Sequence, residues 1–261
     1  MANTVAKKDA FTTNLIEALT DAKTGLPADF NIDRFAMNSI AAVQGNKDLM
    51  AFAKNNKDGG KQILNNLVKG AYLNLDYANS EFHMIPFGSS LQFIVDYRGD
   101  EKLCKKYSIR PIKDIFSQLV REGDVFEPIV DHGEQTINFK PIPFNSGEVI
   151  GAFACCLYQD GGCQYEVMSK AELENTRNQS KAKNSPAWTK FTGEMYRKTV
   201  LHRLCKHINI DFANAFQRDA FNEGMEIETD IEKVVENDIE ENANQTPFEP
   251  IDVEASEQVQ V

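Results

Sequence analysis

Apolar positions change their period twice along the chain. Between residues 31 and 75 they recur every three or four residues: Phe35, Ile40 and Val43, then Leu49, Met50 and Phe52, then Ile63, Leu64, Leu67, Val68 and Ala71. That spacing predicts three amphipathic helices. Asn31 or Asp33 would cap the first and Asn46 or Asp48 the second, because a short side chain carrying an oxygen satisfies an orphan N–H of the first turn. Lys54 to Gly60 reads as a turn. The first thirty residues are polar and mixed, and Gly25-Leu26-Pro27 would break any helix starting near Phe11. A loosely ordered start is therefore expected.

From residue 80 to 168 the period falls to two. Leu91, Phe93, Val95 and Tyr97 alternate with Gln92, Ile94 and Asp96, and the turn Pro86-Phe87-Gly88-Ser89 links them to the apolar run Phe82 to Ile85. This is a hairpin pattern. Asp100 is placed to cap a short basic helix through Tyr107. Further strands are expected over Ile112 to Val120, Val125 to Val130, Thr136 to Pro141, Glu148 to Tyr158 and Cys163 to Met168. Gln159-Asp160-Gly161-Gly162 joins the last two as a hairpin turn. The middle third reads as an antiparallel meander.

Helical spacing then returns. Ser169-Lys170-Ala171-Glu172 fits a capping box, with a helix to about Gln179 and a polar, basic linker over Asn178 to Ser185. The stretch Lys181 to Ile208 is the one around which the rest is arranged, with a helix that Asn184 or Ser185 can cap. Pro186 suits its first turn. Trp188, Phe191 and Met195 fall three and four apart on one face, with Lys190 and Arg197 seven apart on another. Phe212 to Phe221 extends the helical region. The fold class is thus α+β: antiparallel hairpins and a meander packed with helices. It divides into a loose segment (1–30), one α+β domain (31–222, helical over 31–75, β-rich over 80–168, helical over 169–222) and a largely disordered acidic tail (223–261).

Charge alters the picture. The net charge of −11 argues against a nucleic-acid partner until it is mapped. From Glu223 onward there are thirteen acids and one lysine, so residues 1–222 carry about +1. Within that body, Arg98 to Lys113 holds six cations and two acids, and Lys170 to Lys206 holds nine cations and three acids. Charge segregated in this way is a local footprint that the overall pI conceals. The N-terminus lacks the apolar segment of a secretory signal, and there is no apolar run long enough to span a bilayer; an intracellular, cytoplasmic protein is expected. Cys104, Cys155, Cys156, Cys163 and Cys205 form no C-x-x-C pair and read as reduced, mostly buried thiols.

Most catalytic chemistries lack their residues. Gly59-Gly60-Lys61 has Gln62 where a P-loop needs Ser or Thr for magnesium, and the upstream glycine is missing. His202, Cys205 and His207 lie close together without a fourth ligand at metal spacing. Glu166, Lys170 and Asp160 are the weak nucleus of a metal-dependent nuclease, and no nucleophile elbow is visible. The expectation is a non-enzyme.

Four short motifs then occur in order. Ile85-Pro86-Phe87-Gly88 with Val95-Asp96-Tyr97-Arg98-Gly99 resembles the conserved hairpin of the RecT family of phage single-strand annealing proteins, with Asp96 where many relatives have glycine. Glu122-Gly123-Asp124-Val125-Phe126, Gly151-Ala152-Phe153-Ala154, and Pro186-Ala187-Trp188 through Met195-Tyr196-Arg197-Lys198-Thr199 continue the match. It covers roughly Ile63 to Ile210. The resemblance implies a recombinase that needs no ATP, coats single-stranded DNA, pairs it with a complement and assembles as rings or helical filaments. It implies a β-β-β-α core with DNA in a long basic groove. Implied partners are a phage exonuclease and the host single-strand binding protein; no nucleotide cofactor is implied, and Mg2+ enters only as a possible aid to annealing.

Annealing needs phosphates gripped and base edges left free, which cations on helices and hairpins can do without reading sequence. The candidate contacts are Arg98, Lys102, Lys105, Lys106, Arg110, Arg177, Lys181, Lys183, Lys190, Lys198 and Arg203, with Arg98 read as ending a strand. Trp188 is a candidate base-stacking platform, with core packing as its competing role. Two other readings stay open: a nucleic-acid-binding module without annealing activity, and a metal nuclease centred on Glu166.

Overall fold

Two large apolar cores bridged by two helices, with a smaller third cluster on the far face of the sheet, carry the fold. The structure, a computed structural model, describes residues 10–180 and 183–225. The first core belongs to a helical lobe. It comprises α1 (Ala10–Asp21), α2 (Ile32–Gly45), α3 (Lys47–Asn55), α4 (Gly59–Tyr72), and the hairpin of β1 (Phe82–Phe87) and β2 (Ser90–Val95). The asparagines cap as their chemistry predicts: Asn31 accepts the Arg34 N–H at 2.9 Å, and Asn46 accepts those of Asp48 and Leu49. Phe35, Val43, Leu49, Phe52, Ile63 and Leu67 point into the core. Buried Asn66 donates to the Leu91 carbonyl at 3.0 Å, and Gln62 accepts the Leu91 N–H at 2.8 Å, so α4 holds the hairpin in register.

The sheet lobe follows. Its strands are β3 (Ile112–Arg121), β4 (Val125–Asp131), β5 (Glu134–Lys140), β6 (Val149–Tyr158) and β7 (Cys163–Ser169). All pairings are antiparallel, so the α+β class holds, but the order is β3-β6-β7-β5-β4 rather than that of a simple meander. The reason lies in β6. Its run Gly151 to Cys156 is buried at every position, which requires cover on both faces and a central place in the sheet. On one face lie α6 (Lys170–Gln179), α7 (Pro186–Lys190) and α8 (Thr192–His207). On the other, Phe126 (tilted) and Phe139 (edge-on) of the β4–β5 hairpin each pack with ring centroids 5.0 Å from that of Phe153. That hairpin meets β7 at the register pair Gln135 and Cys163, and the Gln135 side chain also accepts the Tyr165 N–H at 2.7 Å. It is an arm folded back over the sheet, closed by the turn His132-Gly133 with φ of 49° and 83°.

α5 (Tyr97–Tyr107) is the seam between the lobes: Leu103 packs into the helical core and its neighbour Cys104 into the sheet core. A Cβ at Gly99 would stand 2.2 Å from the Glu81 carbonyl oxygen, so only glycine lets this helix lie against the hairpin backbone. α9 (Ala215–Met225) crosses the same boundary, with Ala220 in one core and Met225 in the other.

Several expectations are corrected. Ala10–Asp21 is not loose; Leu15 and Leu19 are completely buried, because an amphipathic face shielded by α2 and α4 outweighs a polar average. Asp96, not Asp100, caps α5, accepting the Arg98 N–H, and its extended backbone (φ −82°) needs no glycine. Arg98 therefore stands in the first turn of a helix rather than at a strand end. The helix expected to run on from Pro186 is broken: Phe191 leaves helical geometry (φ −125°, ψ 40°) between α7 and α8. Trp188 is consequently buried while Phe191 is 63 % exposed, and the two do not share a face. At the other end, α9 continues past residue 222, with Glu223 paired to Lys69 and Met225 buried. The tail expectation for 226–261 lies outside the described residues.

Candidate nucleic-acid interface

The α5–α8 contact gathers the chemistry. Asp96 at the head of α5 receives His83 Nε2 at 3.2 Å and Lys198 Nζ of α8 at 3.4 Å. Burial works against its charge, but His83, Lys198 and the Arg98 N–H together hold its carboxyl below the usual carboxylate range. One turn on, fully buried Asp100 meets His202 Nδ1 at 2.7 Å; here burial prevails and its pKa is raised. Tyr97, half-buried at the start of the same helix, adds a ring. The Lys198 ammonium lies 4.6 Å from its ring centroid and the Arg98 guanidinium 5.4 Å. Two cations a hundred residues apart in sequence thus flank one aromatic ring, an arrangement that keeps them desolvated on one side and open on the other.

The other candidates divide by partner. Lys102 is structural: it holds Glu81 and the Asn74 carbonyl, both at 2.6 Å. Arg110 is also occupied, with Asp160 at 2.9 Å, the Gly161 carbonyl, and the Tyr158 ring 4.0 Å from its guanidinium. The Asp160 bond raises the arginine and lowers the aspartate in pKa. Lys105 pairs with Asp114 at 3.2 Å, Arg177 with Glu174 at 3.4 Å, and Arg203 with Glu166 at 2.9 Å. Lys106, 5.2 Å from the Tyr107 ring, is exposed, as are Lys183 and Lys190. Among the described residues, Arg98, Lys106, Lys183 and Lys190 have no carboxylate partner. Lys181 lies outside the described residues. Exposed pairs such as Lys105–Asp114 add little stability, so a phosphate can replace the carboxylate at small cost.

Trp188 does not present a face to a ligand. It is 5 % exposed and packs edge-on to Tyr196, ring centroids 6.5 Å apart. The break at Phe191 turns it inward. Sequence reasoning missed Tyr97 as a ring serving both Arg98 and Lys198; the signal was a tyrosine next to arginine inside the hairpin motif.

The nuclease candidates are not assembled. Glu166 is held by Arg203, Asp160 by Arg110 and Lys170 by Glu148, three separate pairs. His202 and Cys205 face α5, at Asp100 and Cys104. Among the described residues there is no group of three His, Cys, Asp or Glu side chains able to hold a metal ion. Gly59 opens α4, where a Cβ would meet the Phe52 carbonyl at 2.7 Å; its role is close helix packing.

Comparison with known proteins settles the lineage. The RecT family profile matches residues 33–236. The chain belongs to the RecT family. It is also 29 % identical over 200 residues to Protein RecT of Escherichia coli K12, covering 71 % of this chain and 69 % of that protein. Membership makes it a DNA-recombination protein of the single-strand annealing class. No described helix is long and apolar enough to cross a membrane.

Proposed function

We propose that this RecT-family chain anneals complementary single strands without ATP, coating one strand as an oligomer and offering its bases to the other. What supports the reading is the meeting of Arg98 and Lys198 around Tyr97, which joins two family motifs a hundred residues apart in one cationic site. Phosphates held by such charges need no sequence readout, and repetition along an oligomer multiplies modest contacts into tight, salt-sensitive binding. Base pairing supplies the driving free energy, so the reaction requires no nucleotide and no covalent chemistry from the protein. The protein acts in the bacterial cytoplasm, downstream of an exonuclease that exposes single strands and beside the host protein that covers them.

The test is fluorescence-monitored annealing of complementary oligonucleotides without nucleotide, with Mg2+ present or absent. Acceleration over the protein-free rate in both conditions is expected. A binding module would hold one strand without accelerating capture of the second. A nuclease would degrade the substrate only with Mg2+, and Glu166→Gln would abolish that loss.

A further inference from the structure

The β4–β5 arm is exposed in a way the annealing site does not use. Val125, Ile129 and Val130 along β4 are 42 %, 45 % and 64 % exposed. At the arm's base Ile142 is 48 % exposed and Phe144 fully so, at 104 %. Phe144 also sits at φ +57°, a left-handed conformation that costs a bulky residue free energy. The loop is nonetheless fixed. Asp124 accepts the Ile142 N–H at 2.9 Å and the Asn145 side chain at 2.8 Å, while Arg121 donates to the Gly147 carbonyl at 2.8 Å. A strained, pinned and wholly solvent-exposed phenylalanine is a preformed anchor.

Its surroundings exclude a nucleic-acid occupant. Residues 122–148 hold six carboxylates and one lysine, a field that repels phosphate. β4 is moreover an edge strand with a row of unpaired backbone groups, which favours a polypeptide partner. The complementary surface occurs on this same chain. Lys47, Met50 and Lys54 share one face of α3 at three- and four-residue spacing, with Lys57 and Lys61 following, all exposed. Residues 47–61 hold four lysines and two aspartates. Met50 is 45 % exposed between the two lysines, an adaptable apolar spot ringed by positive charge.

We propose that the acidic, apolar arm, anchored by Phe144, docks on the basic α3 face of a second copy of this chain. The two patches are different surfaces, so the contact is head-to-tail and generates rings or filaments rather than closed dimers. Neither patch includes Arg98 or Lys198. The assignment rests on the oligomeric reading above and adds which surfaces make it.

Sedimentation of the full chain, free and with a long single strand, provides the test. Phe144→Gly removes the anchor and relieves the strained backbone, so thermal stability should hold or rise. Self-association should weaken by about thirtyfold or more, with affinity for a short oligonucleotide unchanged. Two charge reversals, Glu127→Lys with Asp131→Lys and Lys47→Glu with Lys54→Glu, should each fail to assemble alone and should assemble when mixed one to one. An oligomeric wild type with Phe144→Gly and both reversals assembling normally would overturn this assignment and leave the oligomeric reading intact. A wild type that stays monomeric with and without DNA would overturn both.

Discussion

The α5–α8 seam and the β4–β5 arm both face solvent, with opposite chemistry. Along the seam, cations rest on an aromatic ring or on carboxylates of neighbouring elements: Lys198 on Asp96 and Tyr97, Arg98 on Tyr97. Along the arm, apolar side chains stand in water among carboxylates, with Phe144 wholly uncovered. A seam of that kind loses little by exchanging one anion for another. An arm of that kind gains only by leaving water against another protein surface. On the proposals above, strand capture falls to one region and assembly to the other, and each can be broken separately.

The largest expected effect is on the support beneath the seam. Trp188→Ala should lose about 3–5 kcal/mol in chemical denaturation, as for a large aromatic removed from a core. At a temperature where the variant remains folded, its single-strand affinity should keep the wild-type salt dependence. An intact fold with a changed salt dependence would return the indole to the DNA surface. Next comes Gly99→Ala, whose Cβ would collide with the Glu81 carbonyl. A loss of about 3 kcal/mol is expected, and a neutral outcome would mean that α5 and the hairpin do not meet as described.

The smallest effect concerns Asp96. Its carboxyl is depressed in the folded state, so its contribution is present above the unfolded carboxylate pKa of about 3.9 and is lost as pH falls through the folded value. Asp96→Asn keeps a competent helix cap while deleting the charge. The variant should be less stable than wild type by about 1 kcal/mol near neutral pH, and the two should converge in acid. A gap that persists or widens in acid would show that His83 and Lys198 are not what holds the group.

Much of this was legible in the sequence. Caps at Asn31, Asn46 and Ser169, the hairpin turns and the strand positions follow from local chemistry, which acts over a few residues. Strand order is non-local, yet a signal was present. Val149–Tyr158 has no polar alternation, and a strand apolar on both faces belongs in the middle of a sheet. The buried α1 was hidden by a polar average over its exposed side. The break at Phe191 carries no internal proline, Gly193 follows it only inside the first turn of α8, and Trp188 is turned inward against Tyr196 by tertiary packing. For the site, charge clustering located the basic segments but not their partners. Lys102 and Arg110 read as surface cations because Glu81, Asn74 and Asp160 are distant in sequence. Tyr97 beside Arg98 was a local signal, but its sharing with Lys198, a hundred residues on, was not readable for the same reason.

The division of labour between seam and arm is tested most directly by the salt dependence of single-strand binding for Arg98→Ala with Lys198→Ala, measured beside Phe144→Gly on an oligonucleotide short enough for one copy. Each phosphate contact on a single strand contributes about 0.7 to the slope of log affinity against log salt. The double substitution should therefore flatten that slope by about 1.4 and weaken binding about tenfold or more at low salt, while Phe144→Gly leaves both unchanged. An unaltered slope in the folded double variant, or a slope flattened by the loss of Phe144, would contradict the account.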